Sequence, residues 1–582
     1  MRFLLFIVLF VFGADSSANN TEKLHQLFSD AWNYQLSVNP DLALALGDSQ
    51  AASKLYDVSS KAYKKQAKKI TSFIKQLADI ERQNLSFDDQ ISYDMFQQQL
   101  ANILADIEFK EYQFAINSES SFHIDLARTH AQMAFRNMAD YLHYLNRLEQ
   151  VEQVIDHHIE NMRQGLKRGF TQPRVIIEHF PEHIRQYIKS DPTQTAFFKP
   201  FENLPKNMGT DNSQQLLAKA KRIISKEIMP AYQRFHDFMK NEYLPGARTD
   251  IGASSLPNGK AYYQQQIQEY TTLNLTPEEI HQIGRKEVKR IRTEMEALIQ
   301  KTDFNGSFAE FIHFLRTDPR FYAKSAGELL KEARNHAKKM DGKLPQLFTR
   351  LPRQPYAVNP VPAAIAPNYT TGRYVDAPLD STRPGQYWVN THALEKRPLY
   401  NLEALTLHEA VPGHHLQISL SKELDHLPNF RRYNYISAHG EGWGLYSEKL
   451  GKEVGFYQDP YSDFGRLTYE MWRAMRLVVD TGMHAMGMSR DEAIQLMEEN
   501  TALSSHNVRT EIDRYIGWPG QALSYKLGEI KIWQLRALAE KELGERFDIR
   551  VFHDTLIGSG SVSLDGLEKI INQYIQKTNK TL

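Results

Sequence analysis

The chain has 582 residues, no cysteine, and 70 Lys plus Arg balanced by 70 Asp plus Glu. Without cysteine there is no disulfide scaffold, thiol nucleophile, thiolate-ligated metal or lipid attachment at a leader cysteine. The even charge balance removes the global field that draws proteins to nucleic acid or anionic membranes, so the expected partners are small molecules or peptides.

Met1 and Arg2, then the apolar run from Phe3 to Phe12, then small residues, have the layout of a secretory leader. Ser16 and Ala18 occupy the small-residue positions of a cleavage site before Asn19. The run is short for a bilayer span and nothing later approaches one, so residues 1–18 are expected to be removed on export to the periplasm or the medium. No stable membrane insertion is expected afterwards. Helical periodicity with strong helix formers then predicts helices over 21–36, 59–83, 88–104, 133–165 and 213–243. The basic run from Lys61 to Lys69 reads as a solvated helix face. A helix over 276–302 opens with Thr276, Pro277 and Glu279, which together predict a capping-box start. Further helices are predicted over 325–340, 491–501 and 564–577. Strand signals gather in 356–390, which is rich in Pro, Gly and Thr and ends in Gly385-Gln386-Tyr387-Trp388-Val389-Asn390. This segment is expected to form a small sheet, and its position suggests a strand to which an extended peptide adds at Gln386 to Asn390. The domain reading is a helical half over 19–241 and a site-bearing half over 242–582, with one continuous domain over 19–582 as the alternative.

The chemistry concentrates in His408-Glu409-Ala410-Val411-Pro412-Gly413-His414-His415. A zinc hydrolase of the HExxH type places two imidazoles on one helix face as ligands, with a glutamate that takes a proton from the attacking water. Here the position four after His408 is Pro412, so the second imidazole comes later. Seven residues on an unbroken helix return to the same face, which favours His415. Pro412 disrupts the ladder at His408 and Gly413 adds freedom, and a local bulge there favours His414 instead. His415 is then a residue behind the ligands or facing substrate. A third protein ligand is needed, and Glu441 and Glu448 lie seven apart downstream, one as ligand and the other orienting an imidazole. Glycines at 440, 442 and 444 permit close approach.

These residues, with Glu441-Gly442-Trp443, Arg383-Pro384-Gly385, the segment Arg473 to Gly482, Arg514-Tyr515 and Ser524-Tyr525-Lys526-Leu527-Gly528, resemble a large bacterial family of formerly unassigned function marked by an HExxPGHH signature. The signature is similar to a stretched form of the zinc motif in helical metallopeptidases such as angiotensin-converting enzyme, thimet oligopeptidase and thermostable carboxypeptidases. The resemblance implies a mainly α, zincin-like architecture with a small β-sheet beside an active-site cleft. By matching position it implies His408, His414 and Glu441 as zinc ligands and Glu409 as general base. It also implies a tyrosine or histidine at the oxyanion, for which Tyr515, Tyr525 and His484 are the candidates. Arg509 and Arg514 are candidates for binding a substrate carboxylate.

The expected function is an exported zinc-dependent peptidase, as a carboxypeptidase or dipeptidyl carboxypeptidase. The alternatives are a zinc amidohydrolase acting on a non-peptide or cell-wall amide, and a metal- or peptide-binding protein without turnover. The glutamate beside the first histidine argues for catalysis, because a purely structural site needs no base.

Overall fold

The computed structural model of the protein describes residues 11–118, 121–205, 208–363, 365–377 and 382–580. The opening of the expected leader, residues 1–10, lies outside the described residues. The chain is mainly helical and divides into two compact units, Met1–Ile251 with Ser255–Asn258, and Gly252–Ser254 with Gly259–Leu582. Among the described residues no helix is long and apolar enough to cross a membrane.

The first unit is built on α1 (Val11–Val38), α2 (Ser60–Ala78), α3 (Phe87–Phe109), α4 (Met138–Leu148), α5 (Val151–Lys167) and α6 (Thr210–Ile223). The helix predicted over 133–165 is two helices. Asn137 and Asp140 form a capping box that starts α4. At the break, the Gln150 side chain accepts from Leu55 N–H and donates to Ser53 O, contacts with a distant segment. The segment predicted over 213–243 stays helical but widens into π turns at Ile224–Ile228 and Met239–Tyr243. Each wide turn precedes a proline, Pro230 and Pro245, whose missing N–H cannot continue the ordinary ladder.

The second unit contains α7 (Gly259–Thr271), α8 (Pro277–Ile299), α9 (Phe308–Thr317) and α10 (Ala326–Asp341), then a three-stranded sheet. The capping box at Thr276 and Glu279 is present at the start of α8. The strands are β1 (Tyr356–Pro360), β2 (Gly372–Val375) and β3 (Gly385–Val389), in the order β1-β3-β2. β3 is parallel to β1 and antiparallel to β2. The expectation that a peptide adds at Gln386 to Asn390 is therefore corrected: β3 is the central strand, and its backbone is paired on both sides.

After the sheet come α11 (Leu402–Glu409), α12 (His414–Lys422), α13 (Ser437–Leu450) and α14 (Pro460–Ala485). They are followed by α15 (Arg490–Asn500), α16 (Ser505–Gly517), α17 (Ser524–Leu543), α18 (Ile549–Ile557) and α19 (Leu564–Lys580). α14 is the axle of the unit. Asp459 caps it with its side chain, Pro460 occupies the first turn, and every residue from Ser462 to His484 is buried. Burial on all sides normally calls for an apolar helix. α14 instead carries Asp463, Arg466, Glu470, Arg473, Arg476, Asp480 and His484, spaced three or four apart and so on one flank. Burial of such groups is tolerable only with partners. Arg466 pairs with Asp463 and Glu470 at 2.8 and 2.9 Å, and Lys526 of α17 pairs with Glu470 at 2.9 Å. Arg476 pairs with Glu511 at 3.1 Å.

Among the described residues no cation forms a salt bridge with Asp480, and Arg476 acts on it only weakly. Its carboxylate accepts from the Tyr263 hydroxyl at 2.6 Å and from Gly520 N–H at 3.2 Å. Burial pushes its pKa up to about 7, and the two donors only partly oppose this. The folded state thus keeps a proton that the unfolded chain releases near 3.8. This group favours folding most at low pH, and its contribution falls as pH rises from about 4 to about 7 before levelling off. Asp480→Asn is expected to flatten that part of the pH profile. Denaturant midpoints measured from pH 5 to pH 8 check it; a variant profile parallel to the wild type would assign the slope elsewhere.

Candidate metal centre

The end of α11 and the start of α12 are separate helices because the backbone turns at Ala410 to Gly413. Ala410 leaves the helical region at φ −93° and ψ −112°, and Gly413 sits at φ −73° and ψ −129°. A side chain at Gly413 would place its Cβ 1.9 Å from His408 O, so the turn accepts only glycine there. The turn keeps its own bonds: Gly413 N–H donates to Leu407 O at 3.0 Å, and Trp443 Nε1 donates to Pro412 O at 2.8 Å. As a result His414 is the first residue of a new helix rather than a continuation of the old one.

This turn brings His408, His414 and Glu441 together, with one ligand atom from each lying within 4.8 Å of the others. Glu441 Oε2 is 3.4 Å from His408 Nε2 and 3.3 Å from His414 Nε2. A tetrahedral zinc with ligands at roughly 2.0–2.1 Å requires ligand atoms about 3.3–3.4 Å apart, so these separations and this donor set fit a zinc-like divalent ion. The two imidazole rings cross nearly at right angles, with centroids 4.7 Å apart.

The glycines of α13 create the space. A Cβ at Gly444 would lie 2.6 Å from the His408 ring, so the imidazole packs directly on the helix backbone. A Cβ at Gly442 would lie 2.6 Å from Gly528 Cα, and one at Gly528 would lie 1.9 Å from Ala438 O. α13 and α17 therefore cross at backbone contact, which sets Glu441 beside the histidines.

Carboxylates and a guanidinium hold the ligands from behind. His408 Nδ1 bonds Glu448 Oε1 at 2.8 Å, which leaves Nε2 for the cluster. Glu448 is 1 % exposed and is also 3.2 Å from Arg473 Nη2. Burial pulls the His408 pKa down, but Glu441 and Glu448 outweigh it and raise it to about 10. Burial works against the Glu441 carboxylate too, yet the two histidines hold its pKa well below the usual value. His414 Nδ1 is buried with no partner among the described residues.

Glu409 is 9 % exposed, and its Oε2 accepts from Tyr374 N–H of β2 at 2.8 Å. His415, at 1 % exposure, faces away from the cluster: its Nδ1 bonds the Tyr374 hydroxyl at 3.1 Å and Ser419 Oγ at 3.3 Å, and its ring packs on Tyr356. His415 therefore fixes Tyr374, whose N–H in turn fixes Glu409. The Tyr525 ring stacks over His408 at 6.5 Å. Arg476 lies on the Tyr525 ring at 4.2 Å, and Arg476 Nε donates to Tyr515 OH at 2.7 Å. Tyr515 thus stands two contacts behind the cluster; its hydroxyl also accepts from Trp472 Nε1 and donates to Glu511. His484 is buried, with Nε2 donating to Tyr515 O and Nδ1 accepting from Ala253 N–H. Arg514 is engaged by Glu511 at 3.3 Å and Gln521 at 2.7 Å, and Arg509 is on the exposed face of α16. Of the substrate-side candidates, the structure brings only Tyr525 beside the three ligand atoms.

Sequence reasoning missed Tyr435 and Tyr374. The Tyr435 hydroxyl donates to Glu441 Oε1 at 3.0 Å, the residue is 44 % exposed, and Tyr525 and Glu409 lie near it. A clue lay in Gly440, where a Cβ would collide with the Tyr435 ring. Tyr374 acts through its backbone N–H, which leaves no residue-type signal.

A mainly helical protein that gathers two imidazoles and a carboxylate between a broken helix and a glycine-lined crossing is the class these observations define. The chain belongs to the family described as "Bacterial protein of unknown function (DUF885)", which matches residues 40–571. No curated protein matches it. It is similar to the crystal structure of a "putative lipoprotein" from Colwellia psychrerythraea, with 29 % identity and a TM-score of 0.90 over 96 % of this chain and 100 % of that one. It also shares its fold with a "putative lipoprotein of unknown function" from Shewanella oneidensis, with 17 % identity and a TM-score of 0.72 over 94 % and 99 % of the two chains.

Proposed function

We propose that the protein is an exported zinc-dependent hydrolase, of zincin-like character, that cleaves peptide bonds. The observation that carries this reading is the meeting of His408 Nε2, His414 Nε2 and Glu441 Oε2 within 4.8 Å, with Glu409 next to the first ligand. His408, His414 and Glu441 would hold the ion. When bound, it would supply Lewis acidity toward the scissile carbonyl and the attacking water. Glu409 takes the proton from that water and passes it to the leaving nitrogen. Its Oε2 is anchored by Tyr374 N–H, so the proton travels on the other oxygen. Glu448 fixes the His408 tautomer, and Tyr435 aligns Glu441. The phenol of Tyr525, beside the cluster, provides a donor for charge that develops on the former carbonyl oxygen.

Export rests on the leader-like residues 1–18 and on the description of the two similar structures as lipoproteins. The sequence holds no cysteine, the residue that carries the lipid in a bacterial lipoprotein. The reading is tested by incubating the mature protein with a mixed peptide library and identifying products by mass spectrometry. Cleavage that a chelator stops and zinc restores is the expected outcome, and the product ends report whether residues leave from the C-terminus. Intact peptides under zinc saturation would overturn the peptidase assignment.

A further inference from the structure

α11 ends in the ligand His408 and the base Glu409, but its first turn faces a different space. A cavity of about 230 Å³ lies against Leu402 and Leu405 of α11, Val389 of β3 and Leu503. Glu409 is one helical turn beyond Leu405, so the cavity neighbours the candidate metal centre without including its ligands.

Two guanidinium groups, Arg316 and Arg397, line this space together with Lys396 and one carboxylate, Glu395, beside its apolar wall. Arg316 Nη2 donates to the backbone carbonyls of Glu498 and Thr501 at 3.1 and 2.8 Å, and its Nε is buried with no partner among the described residues. Arg397 makes two long contacts of 3.4 Å, to His392 O and Thr371 Oγ1. All four acceptors are neutral oxygens. On α14, by contrast, Arg466 has Glu470 and Arg476 has Glu511. Burial lowers the pKa of both cavity arginines, and neither contact set restores it. Three cations, Arg316, Lys396 and Arg397, thus face the single carboxylate of Glu395 among the lining residues, and a ligand anion would balance the excess of positive charge.

A second, independent feature points the same way. Asn401 lines the cavity at 6 % exposure, and its Oδ1 has no partner among the described residues. A side-chain amide whose oxygen has no partner can turn its NH₂ toward an anion. The start of α16 also lines the cavity at Ser504, Ser505 and Asn507; the Ser504 side chain accepts from Asn507 N–H, and the N–H groups before it have no intrahelical acceptors.

We propose that this cavity binds a small organic carboxylate with an apolar body, one or two amino-acid residues in size. Its carboxylate lies between Arg316, Arg397 and Asn401, and its side chain lies against Val389, Leu402 and Leu405. The mostly apolar wall is what separates such a ligand from an inorganic anion, which would leave that surface uncovered. The proposal does not depend on the hydrolase reading, because no residue of the cavity is a ligand of the cluster.

The test is calorimetric titration of the full chain in chelator, which keeps the metal centre from capturing carboxylates. N-acetyl-leucine is the probe, with N-acetyl-leucine amide and inorganic phosphate in parallel. Saturable binding of one N-acetyl-leucine per chain is expected, with both comparison compounds weaker by about tenfold or more, as loss of charge-assisted hydrogen bonds dictates. Arg397→Gln is expected to weaken the probe by a similar factor. Asn401→Asp places a carboxylate inside the cavity, so it is expected to abolish binding while raising the melting temperature. That rise separates lost binding from lost folding. Equal binding of the amide, phosphate as tight as the probe, absence of binding at millimolar probe, unchanged binding in the variants, or a lowered melting temperature for Asn401→Asp would each overturn the proposal.

Discussion

Glu409→Gln is expected to lower turnover by about 10²–10⁴-fold while the chain keeps its ion, the range for loss of a positioned acid–base group. Gln preserves the shape of the side chain, and its carbonyl oxygen still accepts from Tyr374 N–H, the bond that orients Glu409. The amide cannot carry a proton. The three ligand atoms belong to other residues, and Glu448 continues to hold His408. Rate and bound zinc should therefore separate in this variant. Measuring kcat on a cleaved peptide together with zinc content per chain checks this. A variant as fast as the wild type would remove Glu409 from the chemistry, and loss of zinc along with rate would make its role structural.

The second large effect concerns folding. Lys526 is 1 % exposed and lies between Glu529 at 2.5 Å, Glu470 at 2.9 Å and Glu287 at 3.1 Å. Lys526→Met keeps most of the volume but leaves carboxylates buried around a neutral side chain. Removing one partner of a buried ion cluster costs about 3–5 kcal/mol, because the remaining charge has no solvent to return to. Glu470 retains Arg290 and Arg466, but among the described residues Glu529 retains no cation at such a distance. Glu529→Gln should cost much less. Burial has already raised the Glu529 pKa, and Lys526 only partly counters it, so this carboxylate is the least committed of the three. Denaturant unfolding of the two variants should show that asymmetry. Equal losses would mean that the cluster is not organised around the lysine.

Much of the centre is legible in the sequence because its chemistry depends on residue type and spacing. His408, Glu409 and the pair Glu441 and Glu448 each carry a type signal. The seven-residue interval places Glu448 two turns below Glu441, where it meets the other nitrogen of His408. The second histidine was open, since an unbroken helix favours His415. The outcome depends on the backbone at Ala410 to Gly413, where the helix stops and restarts at His414. The helices with strong caps, such as that at Thr276, are also legible.

What was hidden depends on pairing between distant segments. The spacing of β3 marks it as a strand but says nothing of its place between β1 and β2. Tyr374 reaches Glu409 through a backbone N–H, and Tyr435 reaches Glu441 from an irregular stretch with no periodicity. Tyr515 and His484 have the right chemistry for an oxyanion site, but their polar atoms are spent on Trp472, Arg476, Glu511 and Ala253. The break at Gln150 follows from a hydrogen bond to Leu55, 95 positions away, which no local propensity carries.

The central claim is that His408, His414 and Glu441 form the ion site, and zinc titration of the apo chain tests it most directly. The account predicts one tightly bound zinc per chain, retained in His415→Ala and lost in His414→Ala. Zinc retained by His414→Ala and lost from His415→Ala, or no stoichiometric zinc in the wild type, would contradict it.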